Sequence, residues 1–188
     1  MNNADYKRQK LEYSYSLFKA RKFFKKARAI VIENNKLLTI EVTYLNGAAD
    51  DLARNPNRTS YNKHYLLPGG GVDDGETPKQ ASVREAFEEY GVKVQAIKYL
   101  GKNYYTVPME IDGIKFKSNR VEYYYLCKTL ETDENSRFGL DGEFESKNKI
   151  YKKVKLSLED IKKLNPADLN DMNQKTYDLL IEFLSKTN

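Results

Sequence analysis

Short apolar runs separated by polar segments give this chain the pattern of a mixed α/β domain. Five runs have the length and composition of β-strands: 29–32, 37–40, 97–107, 119–129 and 150–158. The first two flank Asn34-Asn35, which predicts a β-hairpin, and Asp112-Gly113 predicts a tight turn between the next two. A Gly-rich turn at 68–71 and a long polar loop at 46–63 complete this part of the pattern.

Three segments have helical spacing of apolar residues. An amphipathic helix is predicted within residues 1–26, a second helix over Pro78–Tyr90 and a third over 169–185. The stripe of the first helix consists of Leu11, Tyr15, Phe18 and Lys22. The stripe of the third helix consists of Met172, Thr176, Leu179, Leu180 and Phe183. Because strands both precede and follow the central helix, the order of elements predicts an α/β sandwich with a mixed sheet rather than a doubly wound parallel one.

The central helix has unusually complete end signals. Thr77 can cap its first turn, Pro78 suits the first helical position, and Gln80 can complete a capping box with Thr77. Gly91 suits the left-handed residue that ends many helices. Its predicted buried stripe is Val83, Ala86, Phe87 and Tyr90.

A second face of the same helix carries three carboxylates. Glu85, Glu88 and Glu89 occupy positions i, i+3 and i+4, where like charges repel and destabilise an isolated helix. A divalent cation bound among them would offset that repulsion, and oxygen ligands select Mg²⁺ or Mn²⁺ over softer metals. The alternative interpretation is a solvated acidic face.

The net charge of +5 is concentrated at the N-terminus. Residues 1–26 carry +6 and the other residues −1, so we divide the chain into a basic arm, 1–26, and a domain, 27–188. We expect the arm to pack on its own domain or on a partner subunit of a homodimer. No apolar run approaches the about 20 residues that span a bilayer, and no signal-peptide pattern is visible, so we expect a cytoplasmic protein without a membrane partner. The single cysteine, Cys127, lies in an apolar run and is expected to be buried.

Residues 70–92, GGVDDGETPKQASVREAFEEYGV, carry a long spaced motif. The segment fits the pattern G-x5-E-x7-R-E-U-x-E-E-x-G-U, in which x is any residue and U is aliphatic. This segment resembles the Nudix box, with Ala86 smaller than the usual aliphatic residue. The resemblance extends through Leu66–Gly71 and 153–161, and thus covers about 28–185. It implies an α/β/α sandwich that hydrolyses nucleoside diphosphates linked to another moiety.

The same resemblance implies roles for individual residues. Glu85, Glu88 and Glu89 would bind Mg²⁺ (or Mn²⁺), with Arg84 and Glu76 as supporting residues of the catalytic site. The backbone of Gly69, Gly70 and Gly71 would approach the metal or the phosphates. The general base is left open among Glu88, Glu143 and Glu145. His64, the one histidine, is expected at the surface or as a supporting residue.

The substrate is left open as well. Tyr104 and Tyr105 are candidates to stack on the base, facing the loop 46–63 across one cleft. Pro108, 16 positions after Val92, resembles a mark of the ADP-ribose branch, and nucleoside triphosphates are an equal candidate. The alternative from another class is a nucleotide- or RNA-binding module without hydrolysis. We expect a small nucleotide substrate and no nucleic acid partner.

Overall fold

A seven-stranded mixed sheet with helices on both faces forms the molecule. The computed structural model describes residues 3–45, 63–132, 149–170 and 172–187. Its strands are β1 (Phe24–Glu33), β2 (Lys36–Tyr44), β3 (Lys63–Leu66), β4 (Gly69–Gly71), β5 (Val92–Ile111), β6 (Ile114–Thr132) and β7 (Lys149–Leu156). Its helices are α1 (Asn3–Lys19), α2 (Pro78–Tyr90), α3 (Leu158–Lys162) and α4 (Gln174–Thr187), with a 3₁₀ turn at Pro166–Asp168.

The strand order β3-β2-β1-β6-β5 places β1 at the centre of the sheet. β1 runs parallel to β6, whereas β2 and β4 pair with it antiparallel, so the predicted mixed sheet is confirmed. β7 pairs with β2. The segment 69–71 is therefore a short strand on β1 rather than the free turn expected from its glycines, since its backbone bonds are taken by Lys26–Arg28.

Both predicted hairpin turns are confirmed. Asn34 and Asn35 have φ of 49° and 58°, and Asp112 and Gly113 have φ of 48° and 79°, the left-handed pairs that a two-residue hairpin turn requires. The second hairpin is much longer than expected, with strands of 20 and 19 residues. Its outer part is covered by α1, a long-range contact that the local pattern does not show.

Helix α2 packs on one face of the sheet, and α3 and α4 on the other. Ala86 and Tyr90 of α2 join one cluster with Val31 and Ile40. The second cluster contains Ile30 and Leu126 from the sheet. The C-terminal helices add to it Ile161, Tyr177, Leu180 and Leu184. Sheet side chains alternate between the two clusters, which confirms the predicted sandwich.

The ends of α2 follow the predicted pattern, but its buried stripe does not. Thr77 and Gln80 form a reciprocal capping box, and Gly91 is left-handed with φ 77°. Phe87, predicted to be buried, is 48% exposed, whereas Glu85 is buried. The prediction was wrong there because the buried stripe is rotated toward Glu85, which lies against β4.

The C-terminal helix begins later than predicted. Residues 166–168 form the 3₁₀ turn, and α4 starts only at Gln174. Tyr177 and Leu184 are buried on it in addition to Thr176 and Leu180, while Leu179 and Phe183 are only partly buried. Within the described ranges, no helix is long and apolar enough to cross a membrane.

Helix α1 packs on the chain's own sheet. Tyr15 lies 5.2 Å from Phe116 and Tyr13 lies 5.8 Å from Phe24, measured between ring centroids. Arg8 pairs with Asp112 at 3.2 Å at the tip of the long hairpin. Since β1 starts at Phe24, residues 24–26 lie in the sheet, and the division of the chain at residue 26 stays a prediction.

Candidate active site

Strand β4 brings a backbone without side chains against the acidic face of α2. A Cβ atom on Gly70 would lie 2.4 Å from Glu85 Oε1. A Cβ atom on Gly69, whose φ is 155°, would lie 2.1 Å from the Ala27 carbonyl oxygen. At Gly69 the added atom would meet backbone, so only glycine fits there, whereas at Gly70 a side chain would displace the Glu85 carboxylate. The glycine at position 70 thus allows that carboxylate to approach the strand.

Arg84 holds the acidic residues of the motif together. Its guanidinium donates to both oxygens of Glu76, at 3.1 and 3.0 Å, and to the Gly71 carbonyl at 2.9 Å. It also donates to Glu85 at 2.9 Å and to Glu88 at 2.8 Å. The hydrogen bonds to Arg84 hold the pKa of Glu76 below its usual value. One arginine thus fixes both the loop before α2 and two of its carboxylates.

The three glutamates of α2 have different environments. Glu85 is buried, and burial raises its pKa against the opposing effect of Arg84. Glu89 accepts a hydrogen bond of 2.8 Å from the Gly69 N–H. Glu88 is accessible to solvent, with half of its side chain exposed.

The carboxylates are held by protein groups rather than converging on one point. In the part of the chain that the structure describes, no three Asp, Glu, His or Cys side chains form a group that could hold a metal ion. The groups gathered at β4 and α2 are nevertheless carboxylate and carbonyl oxygens, the donors that Mg²⁺ and Mn²⁺ prefer. A metal at these residues stays a prediction.

A buried ion pair on the opposite side of β4 was missed by the sequence analysis. Arg28 Nε lies 2.7 Å from Glu122 Oε1, and Tyr124 donates to the other oxygen of Glu122 at 2.9 Å. Burial raises the pKa of Glu122, but Arg28 and Lys26 more than offset this effect, and the pKa lies below its usual value. Arg28 also donates to the carbonyls of Leu67 and Gly69. The available clue was a charged residue inside each of two apolar strands.

The remaining predicted site residues lie outside β4 and α2. Tyr104 and Tyr105 lie opposite Val121 and Arg120, on opposite faces of β5, so one pocket on a face of the sheet can receive only one of them. Glu143, Glu145 and the loop 46–62 lie outside the described residues. His64 is buried in β3 rather than at the surface, with its ring 5.5 Å from Tyr44.

Cys127 is a buried free thiol, as predicted. Burial raises its pKa to about 12, so the thiol is protonated at neutral pH.

Comparison with known proteins agrees with the site's motif. The NUDIX domain family model matches residues 24–177, and the chain belongs to this family. The RNA pyrophosphohydrolase of Cereibacter sphaeroides is 32% identical over 85 residues, which cover 41% of this chain and 52% of the relative. That of Blochmanniella pennsylvanica is 33% identical over 82 residues, covering 39% and 52%. The matched regions thus span about half the length of these curated relatives.

Solved structures with a similar fold include a NUDIX hydrolase from Nitrosomonas europaea. Its TM-score is 0.49 with 14% identity, covering 88% of this chain and 90% of that chain. An ADP-ribose pyrophosphatase from Streptococcus suis has a TM-score of 0.48 with 18% identity, covering 85% and 90%.

Proposed function

We propose that this chain is a metal-dependent pyrophosphohydrolase that cleaves the phosphoanhydride of a nucleoside diphosphate linked to another group. The observation that carries the proposal is the gathering of Glu76, Glu85 and Glu88 by Arg84, beside a glycine strand that Glu89 also contacts. A solvated acidic face would leave its glutamates exposed, whereas here Glu85 is buried and Arg84 donates to three carboxylates and one backbone carbonyl. This arrangement favours the catalytic interpretation of the carboxylates.

Glu85, Glu88 and Glu89 are the residues that would hold Mg²⁺ or Mn²⁺. They fit such an ion in chemistry, because all three offer hard oxygen donors, and because Gly70 has no Cβ atom to displace the Glu85 carboxylate. A bound ion would neutralise diphosphate charge and lower the pKa of a water molecule. Arg84 would keep the carboxylates oriented, as residues behind metal ligands commonly do.

The proton of the attacking water needs an acceptor. Glu88 is our first candidate, because its carboxylate is half-exposed at the edge of the site while Glu85 is buried. Glu143 and Glu145 are the alternatives. Substitution of each by glutamine would separate them, since loss of the base lowers kcat more than KM.

The similar proteins add RNA to the candidate substrates of this chain. Both relatives described above are RNA pyrophosphohydrolases, so the 5′ end of RNA stands beside nucleoside triphosphates and ADP-ribose-like molecules as a candidate. The expectation that nucleic acid is not a partner has no support from these relatives. The cytoplasmic location stays a prediction, since a single buried cysteine lacks an internal disulfide partner in any compartment.

The test is a substrate screen with matched variants. Purified protein is incubated with Mg²⁺ or Mn²⁺ and a nucleoside triphosphate, ADP-ribose or a 5′-triphosphorylated RNA, and phosphate or monophosphate release is followed. Glu89→Gln should reduce turnover by about 100-fold or more while the melting temperature stays near that of the wild type. The control is Glu131→Gln, because Glu131 is an exposed carboxylate that pairs with the exposed Lys93. Wild-type turnover by Glu89→Gln, or turnover in excess chelator, would reject metal-dependent hydrolysis at this site; nucleotide binding without product release would favour the binding module.

A further inference from the structure

A cavity of about 640 Å³ lies between the N-terminal segment and the loop that leads into α2. Its volume is within the range of about 300–1,000 Å³ that small-molecule sites occupy. One wall is formed by Tyr13, Leu17 and the segment 21–25, and the facing wall by the loop 72–76. The cavity therefore joins α1 to the motif that carries the proposed chemistry.

The N-terminal wall and the adjoining part of β5 combine cations with exposed aromatic rings. Arg21, with φ 55°, turns the chain out of α1, and the Lys22 N–H donates to the Leu17 carbonyl at 2.8 Å, so the turn is fixed. Phe23 and Tyr104 are 44% and 54% exposed, and their ring centroids lie 5.3 Å apart. Lys102 Nζ lies 5.0 Å from the centre of the Tyr104 ring. Aromatic rings beside cations are the combination that binds bases and phosphates of single-stranded nucleic acid.

The opposite wall is linked to the proposed reaction site through Arg84. Glu76 lines the cavity and accepts two hydrogen bonds from Arg84, which also bonds Glu85 and Glu88. The cavity is thus polarised, with its acidic side toward the α2 carboxylates and its basic aromatic side toward Arg21–Phe23. A ligand with a cation-bound diphosphate at one end and a base with a phosphodiester at the other matches this polarity.

We propose that this cavity binds the second nucleotide of a single-stranded oligonucleotide, the one that follows the nucleotide bearing the reacting diphosphate. The base of that second nucleotide packs against Phe23 and Tyr104, and its phosphate lies near Arg21 and Lys22. This proposal depends on the proposed function only for the position of the reacting diphosphate beside the α2 carboxylates. Arg21, Lys22 and Phe23 precede the region matched by the family, which begins at residue 24, so family membership alone does not assign them a role.

Binding without chemistry is the first test. The probe is an RNA tetranucleotide with a 5′-hydroxyl and a 3′-fluorophore, which has no anhydride to cleave, followed by fluorescence anisotropy on the full chain. Phe23→Ala and Lys22→Glu should each raise Kd about tenfold, through lost stacking and lost phosphate attraction. The matched controls are Tyr6→Ala and Lys7→Glu, an exposed aromatic and an exposed cation on α1 outside the cavity, and they should bind like the wild type.

Hydrolysis then distinguishes the site from the proposed reaction. For Phe23→Ala, the ratio of kcat/KM for a 5′-triphosphorylated tetranucleotide to kcat/KM for the free nucleoside triphosphate should fall about tenfold. Lack of tetranucleotide binding by the wild type, or equal binding by Phe23→Ala, Lys22→Glu and both controls, overturns the proposal even if the free nucleotide is hydrolysed. Binding with the expected variant pattern supports the site, and it does so even if no substrate is cleaved, an outcome that would reject only the hydrolase.

Discussion

Arg28 and Glu122 form a buried ion pair, with Arg28 Nε 2.7 Å from Glu122 Oε1, and this pair is tied to the proposed active site through Gly69. Arg28 donates to the Gly69 carbonyl, while the Gly69 N–H donates to Glu89 of α2 at 2.8 Å. The ion pair and a candidate metal ligand thus hold the same residue of β4 from two sides. We infer that the pair positions the glycine strand as well as stabilising the sheet.

Removal of the Glu122 charge should be costly. Glu122→Gln leaves the buried Arg28 guanidinium without its counter-charge, and we expect the free energy of unfolding to fall by about 3 kcal/mol. Glu131→Gln is the control, because the Lys93–Glu131 pair has a similar distance of 2.8 Å but exposed side chains. Its loss should be below about 1 kcal/mol. Urea unfolding measures the free energy of unfolding of both variants. Equal losses would show that the buried pair contributes no more to stability than the exposed pair.

Gly70 offers a test of the approach between β4 and α2. In Gly70→Ala the new methyl group would meet Glu85 Oε1 at 2.4 Å, so the carboxylate has to move. Because Glu85 is the end of a flexible side chain, we expect the fold to persist and turnover to fall by about 100-fold. Circular dichroism and initial rates measure the two effects.

Gly113→Ala is the matched control for that variant. Gly113 has φ 79° in the hairpin turn and no heavy atom near the position of an added Cβ. We expect about 1 kcal/mol of lost stability from backbone strain and unchanged turnover. Unchanged turnover in Gly70→Ala as well would contradict the proposed role of Glu85.

The parts of the fold that depend on neighbouring residues could be predicted from the sequence. The capping box of Thr77 and Gln80 and the turn at Asn34-Asn35 are local structures, in which the residues that make the hydrogen bonds are close in the chain. The Nudix box is local for the same reason. Glu85, Glu88 and Glu89 share one helix, so their order along the chain fixes their relative placement.

The parts that depend on distant contacts could not be predicted. Arg28 and Glu122 are 94 positions apart, and nothing in either strand alone pairs them. Phe87 fits an apolar helical stripe by spacing, yet Glu85 is buried instead, because β4 lies beside it. The cavity beside Phe23 requires α1, the loop before α2 and the long hairpin together, and no local pattern indicates that meeting.

Lys26 has an unusual electrostatic environment next to the same ion pair. It lies opposite Glu122 in the register of β1 and β6, with Arg28, Arg120 and Lys10 also acting on it. Burial and the neighbouring cations lower its pKa to about 8, against the opposing effect of Glu122. A protonated Lys26 is therefore destabilising.

The pH dependence of stability should show this effect. Since the folded pKa of about 8 is below the usual 10.5, the unfolded chain binds more protons between these values, and the penalty shrinks as pH rises through that window. Lys26→Met should raise the free energy of unfolding at pH 6.5 by about 1 kcal/mol, with a smaller gain at pH 10. Lys25→Met, on the exposed side of the same strand, should give no comparable gain. Urea unfolding of both variants at the two pH values measures this, and a Lys26→Met protein less stable than the wild type at pH 6.5 would show that the ammonium is satisfied in the fold.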